Sequence, residues 1–332
     1  KARLLGKAHF ADFTTARRMA RTGAQALGFI EDLATRIRPK FQAEVAELEA
    51  YRARQVGDAV RALHPWEFGF FAERMRRELH GFDDEALRPW FPVDGVIAGM
   101  FRLFGDLFGF QVVGRDALHV DPATGARTVI PAAAPRVDGE PVSVWHPEVR
   151  FYEIRDGARL LGSFYTDWFP RESKRGGAWM NFFRTGGPRA DGSFAPHLGL
   201  MCGNFTPPVA GQQALLTHDE VTTVFHEFGH LLHHLLCEVE VESLAGTRVA
   251  WDFVELPSQI LENWCWEEES LALFARHHET GAPLPADLLA KLDAAANFRA
   301  ASVCMRQLAF SKLDLDLHIR ALELKGRDLD AH

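Results

Sequence analysis

The chain has 332 residues, 47% of them hydrophobic, which is enough for a sizeable core in one large or two medium domains. Its net charge of −8 is spread over interspersed acids and bases, which argues against a nucleic-acid surface. No apolar run approaches the ~20 residues that span a bilayer, and Cys202, Cys237, Cys265 and Cys304 form no C-x-x-C pair, so reduced, buried thiols in a cytoplasmic protein are expected.

Residues 1–20 suggest one or two short helical pieces. From about 22 to 56, Leu27, Ile30, Leu33, Ile37, Phe41, Val45 and Leu48 recur at spacings of three and four, the mark of a long amphipathic helix with a solvated charged face. Pro39 should kink or split it. His64-Pro65 breaks the chain, and helices are expected over Trp66–Leu79, briefly over Asp84–Trp90, and over 94–108, where Val96, Ile97, Met100, Phe101, Phe104, Leu107 and Phe108 point to a core. Residues 115–141 carry Asp121-Pro122-Ala123-Thr124-Gly125, Pro131 to Pro135 and Asp138-Gly139, which predict a loop or mobile hairpin inserted into a single domain.

Strand signals follow. Val149–Ile154 and Leu160–Trp168 flank Asp156-Gly157, a hairpin turn signature. Lys174 to Trp179 is a loop whose paired glycines can bring backbone close to a ligand or simply make a turn. His197–Phe205 is a further strand, and Gly211-Gln212 leads into the next helix. Beyond Glu255 one helix is expected over roughly 257–279, stopping at Gly281, and another from near Ala286 past Leu317. The chain is thus expected to be mainly α with a small β-sheet (α+β): a helical region over 1–114, an insertion over 115–141, a sheet over 142–210 and a helical region over 217–332.

Residues 217–262 carry the chemistry. Thr217 and Glu220 form a T-x-x-E capping box. Inside the helix it starts, His226-Glu227-Phe228-Gly229-His230 is an H-E-x-x-H motif. Residues four apart sit about 40° apart on one helix face, so both imidazoles can reach one metal ion, and Glu227 is free to act on a water there. The plain alternative is a helix whose histidines bond within a core. Zinc in hydrolases usually takes three protein ligands and leaves one open position. Glu255, about 25 residues further on, can supply the third. Gly229 is read as a close helix–helix contact. Pro257 suggests that the following helix begins only there, with Glu255 at its edge.

The run 226–230, with Asp252-Phe253-Val254-Glu255-Leu256-Pro257-Ser258-Gln259 and Glu262-Asn263-Trp264, resembles the thimet oligopeptidase family of zinc metallopeptidases. So do Trp145 to Glu153 and Lys174 to Met180. Glu262 to Glu267 and Glu279-Thr280-Gly281 are similar to the bacterial oligopeptidase A branch of that family. The resemblance covers nearly the whole chain except 115–141. It implies a zincin-type fold, mostly helical with a small sheet beside a deep channel, and one Zn2+ per chain. It implies His226, His230 and Glu255 as metal ligands and Glu227 as the general base, with short peptides as substrates of a monomeric endopeptidase without nucleic-acid or membrane partners. Glu262 and Asp252 are the candidates to orient the imidazoles from behind, and His233 is expected to make a structural hydrogen bond. The family pattern also has an N-terminal helical region and a later His- and Tyr-bearing segment. This chain has only Tyr51, Tyr152 and Tyr165, none in such a motif, so an incomplete catalytic domain is expected. A dipeptidyl carboxypeptidase of the same family, or a fragment that binds zinc and peptide without turnover, are the alternatives.

Overall fold

The structure, a computed structural model, describes residues 1–81, 84–133, 135–208 and 213–325. The expected lead at Gly211-Gln212 lies outside them. In chain order the helices are α1 (Phe10–Thr15), α2 (Gly23–Val56), α3 (Pro65–His80), α4 (Val93–Phe108), α5 (His218–Leu235), α6 (Leu256–Glu262), α7 (Glu268–Phe274), α8 (Ala286–Ala296) and α9 (Ala300–Ile319). The strands are β1 (Gln111–Arg115), β2 (Ala117–Val120), β3 (Arg127–Ile130), β4 (Val142–Val144), β5 (Arg150–Asp156), β6 (Arg159–Asp167), β7 (Trp179–Arg184), β8 (Gly187–Pro188), β9 (Phe194–Ala195) and β10 (His197–Cys202). The fold is α+β. In place of the single domain expected, the chain divides into two compact units, Lys1–Phe82 with Ala290–His332, and Asp83–Leu289.

In the first unit α2 packs against α1, α3 and α9. Thr22 caps it by accepting the Gln25 N–H at 3.1 Å, and Gly57, at φ 67°, ends it. The helix runs 34 residues through Pro39 without the expected split, losing one internal hydrogen bond there. Its charged face is not uniformly solvated: Glu44 is buried, and its carboxylate accepts the Ser302 N–H at 2.8 Å, the Ser302 hydroxyl at 2.6 Å and the Ala301 N–H at 3.3 Å. A carboxylate there satisfies the free N–H groups of the first turn of α9 and faces the positive end of its dipole. Arg299, left-handed at φ 57°, donates to the Glu44 carbonyl oxygen at 3.0 Å. This is why the helix expected to run from Ala286 past Leu317 breaks into α8 and α9.

The second unit is built on a five-stranded sheet of order β1-β5-β6-β10-β7, antiparallel except for the parallel pair β6–β10. It is larger than expected: β1 comes from the region read as helical, and β7 begins where the 174–179 loop reading ends, in a part of the 142–210 sheet region where no separate strand is expected. Of the two readings for 115–141, loop or hairpin, the structure shows the hairpin: β2 and β3 pair antiparallel, and β4 joins β2 in a three-stranded sheet. β8 and β9 form a two-stranded ribbon.

α5 packs on β10, β7 and β6, and its buried positions Val221, Val224, Phe225, Phe228, Leu231, Leu232 and Leu235 follow the three-four spacing of one apolar stripe. Phe225 and Phe228 are fully buried, each stabilising by roughly 1.5–3 kcal/mol. They meet Phe104 of α4 at 5.6 and 5.7 Å between ring centroids, and Phe225 meets Phe274 of α7 at 5.1 Å. The helix expected over 257–279 is broken in two. His218, in the first turn of α5, donates from Nε2 to the Cys265 carbonyl oxygen at 2.9 Å, and its ring meets Trp266 edge-on at 4.4 Å. That carbonyl belongs to a 3-10 turn, Asn263–Cys265, between α6 and α7. No helix among the described residues is long and apolar enough to cross a membrane, and all four cysteines are free, Cys202 and Cys265 buried, Cys237 and Cys304 partly so.

Candidate active site

The capping box starts α5 as expected: Thr217 Oγ1 accepts the Glu220 N–H at 3.1 Å, and the Glu220 carboxylate accepts the Thr217 N–H at 2.8 Å. Arg88 ties this end down, reaching Glu220 at 3.3 Å and the Leu215 carbonyl oxygen at 2.9 Å. The helix therefore enters at a fixed angle, and His226 and His230 stand one turn apart with their rings nearly perpendicular, 4.9 Å between centroids.

Glu255 sits at the N-cap position of α6, with Pro257 in the first turn, where a missing N–H costs nothing. Ser258 Oγ donates to Glu255 Oε2 and to the Glu255 carbonyl oxygen, both at 2.9 Å, which pins the side chain. The same Oε2 lies 3.3 Å from His226 Nε2 and 3.0 Å from His230 Nε2. α6 reaches this position because it packs on α5 at Gly229. A Cβ there would lie 2.6 Å from the Pro257 carbonyl oxygen and 2.6 Å from the Ser258 Cα. The close helix contact expected at Gly229 is therefore present.

The atoms behind the ligands differ. Glu262, one helix end away from Glu255, accepts from His226 Nδ1 at 2.7 Å. That bond places the proton on Nδ1 and leaves the Nε2 lone pair facing Glu255. Asp252 stands exposed in the turn before α6 and does not orient His230, whose Nδ1 is buried with no hydrogen-bond partner. Burial holds the His230 pKa below the usual imidazole value, against the opposing pull of Glu255. The structural hydrogen bond expected of His233 is absent at Nδ1, which is buried without a partner; its ring instead lies 6.2 Å from that of Phe253.

Glu227 is 6% exposed, and its Oε2 has no hydrogen-bond partner. Burial pushes its pKa up to about 7, opposed by the neighbouring His226 and by the Met180 backbone N–H that donates to the carboxylate. Met180 on β7, and Ser258 behind Glu255, are contacts that the sequence reading did not assign. Ser258 had a local signal, three residues past Glu255 at a helix start. Met180 had none.

The donor set fits a metal ion. One nitrogen each of His226 and His230 and one oxygen of Glu255 lie within 4.8 Å of one another. Two imidazoles and a carboxylate are ligands that a catalytic zinc site takes, and the Glu262 contact prepares the His226 nitrogen for it.

The model of peptidase family M3 matches residues 1–330. The chain belongs to peptidase family M3. It is 42% identical over 319 residues to oligopeptidase A of Salmonella typhimurium and equally to that of Escherichia coli, covering 96% of this chain and 43% of each relative. Against the dipeptidyl carboxypeptidase of Escherichia coli it is 33% identical over 348 residues, 100% of this chain and 47% of the relative. This M3 chain thus spans less than half the length of the curated relatives it matches.

Proposed function

We propose that this M3 chain carries the catalytic centre of a zincin-type, zinc-dependent oligopeptidase that cleaves internal bonds of short peptides in the cytoplasm. The observation that carries the proposal is the meeting of His226 Nε2, His230 Nε2 and Glu255 Oε2 beside the buried, unpartnered Oε2 of Glu227. His226, His230 and Glu255 would hold one Zn2+, which when bound supplies Lewis acidity to the scissile carbonyl and makes water nucleophilic near neutral pH. Glu227 accepts the proton of the attacking water at Oε2 and delivers it to the leaving amine. In the metal-free chain burial raises its pKa to about 7, and a bound cation beside it would favour the ionised form that acts as the base. Hydrolysis falls in acid as Glu227 becomes protonated. The Met180 backbone, on β7, the last strand in the sheet order, favours the ionised form of this carboxylate. A sheet edge offers backbone groups to an extended peptide, so a substrate lying along β7 brings its carbonyl to the base. Four unpaired cysteines suit a reducing compartment.

The relatives carry two names, oligopeptidase A and dipeptidyl carboxypeptidase, and the higher identity to oligopeptidase A favours the endopeptidase reading over the second. The test is metal content and peptide cleavage in parallel. Glu227→Gln retains about one zinc and loses hydrolysis by several orders of magnitude, since base and water positioning go together. Glu255→Gln loses zinc. Full activity in His226→Ala would overturn the assignment. Zinc retention without cleavage by the unaltered chain would leave only the metal- and peptide-binding reading.

A further inference from the structure

A second group of metal-type ligands lies beyond α7. Arg276 and Pro283 form an antiparallel bridge. The loop between them is closed by the His277 N–H to the Ala282 carbonyl oxygen and by the Gly281 N–H to the His277 carbonyl oxygen, both at 2.8 Å. Gly281 turns the chain at φ 69°, where a side chain is strained. The loop presents His277, His278 and Glu279, whose ligand atoms all lie within 4.8 Å of one another.

Three successive residues rarely converge on one point, and here the surroundings enforce it. The two imidazoles stack at 5.1 Å with 22° between their planes. Trp90 meets the His277 ring edge-on at 5.1 Å, and its Nε1–H donates to the Pro283 carbonyl oxygen at 3.2 Å. The His278 N–H donates to the Pro89 carbonyl oxygen at 2.8 Å. The Glu279 N–H donates to His277 Nδ1 at 3.3 Å, a long bond that a metal ion taking this lone pair would replace. Folding has thus already brought the three side chains together. Both histidines are partly buried while Glu279 is exposed, which leaves room for water to complete a coordination shell.

We propose that His277, His278 and Glu279 form a second, solvent-open site for a divalent late first-row transition metal such as Zn2+. Two imidazole nitrogens and one carboxylate oxygen favour zinc, copper and nickel over magnesium and calcium, whose preferred ligands are oxygens. The site shares no residue with His226, His230 and Glu255. It binds more weakly than they do, because it is open to solvent, because metal at His277 must displace the Glu279 N–H, and because among the described residues no hydrogen bond puts an acid behind either imidazole as Glu262 stands behind His226.

Calorimetric titration of the chelator-stripped chain with Zn2+ tests this. The expected result is one tight and one weaker equivalent. The double variant His278→Ala with Glu279→Gln, its fold checked by circular dichroism, weakens the second equivalent roughly tenfold or more and leaves the first unchanged. His230→Ala does the reverse. A single equivalent in the unaltered chain, or a second one that survives in the double variant, overturns the proposal. Loss of only the tight equivalent's link to His230 would count against the catalytic assignment and leave this one standing.

Discussion

At the scale of single residues, Glu227 combines two properties that conflict in a stable protein. It is buried, and in the proposed role of base it must ionise. A native pKa raised from 4.5 to about 7 means that the folded chain keeps a proton which the unfolded chain releases. The stability that this proton contributes is fully present below about pH 4.5 and is lost as pH rises through 7. In the metal-free chain, Glu227→Gln has no such proton to lose. It is therefore expected to be the more stable form at pH 8, by on the order of 2 kcal/mol, and to match the parent near pH 4.5. Denaturant titrations at the two pH values check this, and parallel curves would show that Glu227 ionises in the fold without penalty. Glu262 accepts from His226 Nδ1, and its proposed effect on the metal runs through that imidazole. Glu262→Gln should lower zinc affinity by 10–100-fold, a typical cost for loss of a partner behind a ligand, with the native fold retained. Competition with a zinc chelator measures it, and unchanged affinity would mean that His226 is oriented by its own helix.

At the scale of elements, the distance between α5 and α6 sets where Glu255 stands. Gly229 permits that distance. Gly229→Ala would push a methyl into the Pro257 carbonyl and the Ser258 Cα, each 2.6 Å from the new atom. Backbone cannot rotate away as a side chain can, so overpacking of about 1–3 kcal/mol is expected, with zinc affinity falling more steeply than stability. Chelator competition alongside thermal melting separates the two, and a loss of stability with zinc affinity intact would place Glu255 under the control of Ser258 rather than of helix packing. The same scale shows what the sequence could disclose. The capping box of α5 and the one-turn spacing of His226 and His230 are local patterns, fixed by neighbours three or four residues away, and Gly229 shows locally as a residue that costs helix propensity, although its partners Pro257 and Ser258 lie on α6. The breaks at 263–267 and 297–299 are not local. They exist because His218 takes the Cys265 carbonyl and because Glu44 takes the first N–H groups of α9, partners 47 and 258 residues distant. Likewise β7 shows no clean alternation, and the Met180 bond to Glu227 arises only once the sheet is assembled.

At the scale of the whole molecule, metal and fold are coupled. A ligand bound only by the native state stabilises it by about 2.7 kcal/mol at a hundredfold excess over its dissociation constant. Zinc at the three proposed ligands would also offset the repulsion between the carboxylates of Glu227 and Glu255. Chelation should therefore lower the melting temperature of the parent chain and have little effect on Glu255→Gln; equal effects on both would move the stabilising metal elsewhere. Peptide mapping settles which relative's chemistry applies. A peptide blocked at its C-terminus should be cut internally at several bonds, whereas stepwise loss of dipeptides from a free C-terminus would mark a dipeptidyl carboxypeptidase.

The hydrogen-bonded lock of Glu44 on Ser302 has a consequence in time. Residue 44 leaves the ribosome more than two hundred residues before its partner. During synthesis α2 must therefore wait with an acid and an apolar stripe uncovered while the unit spanning Asp83–Leu289 has all its sequence available and can fold first. The protein's early helix is in this sense its late-folding one, and a stall in translation before residue 302 would leave the nascent chain with a finished candidate active site and an unfinished first unit.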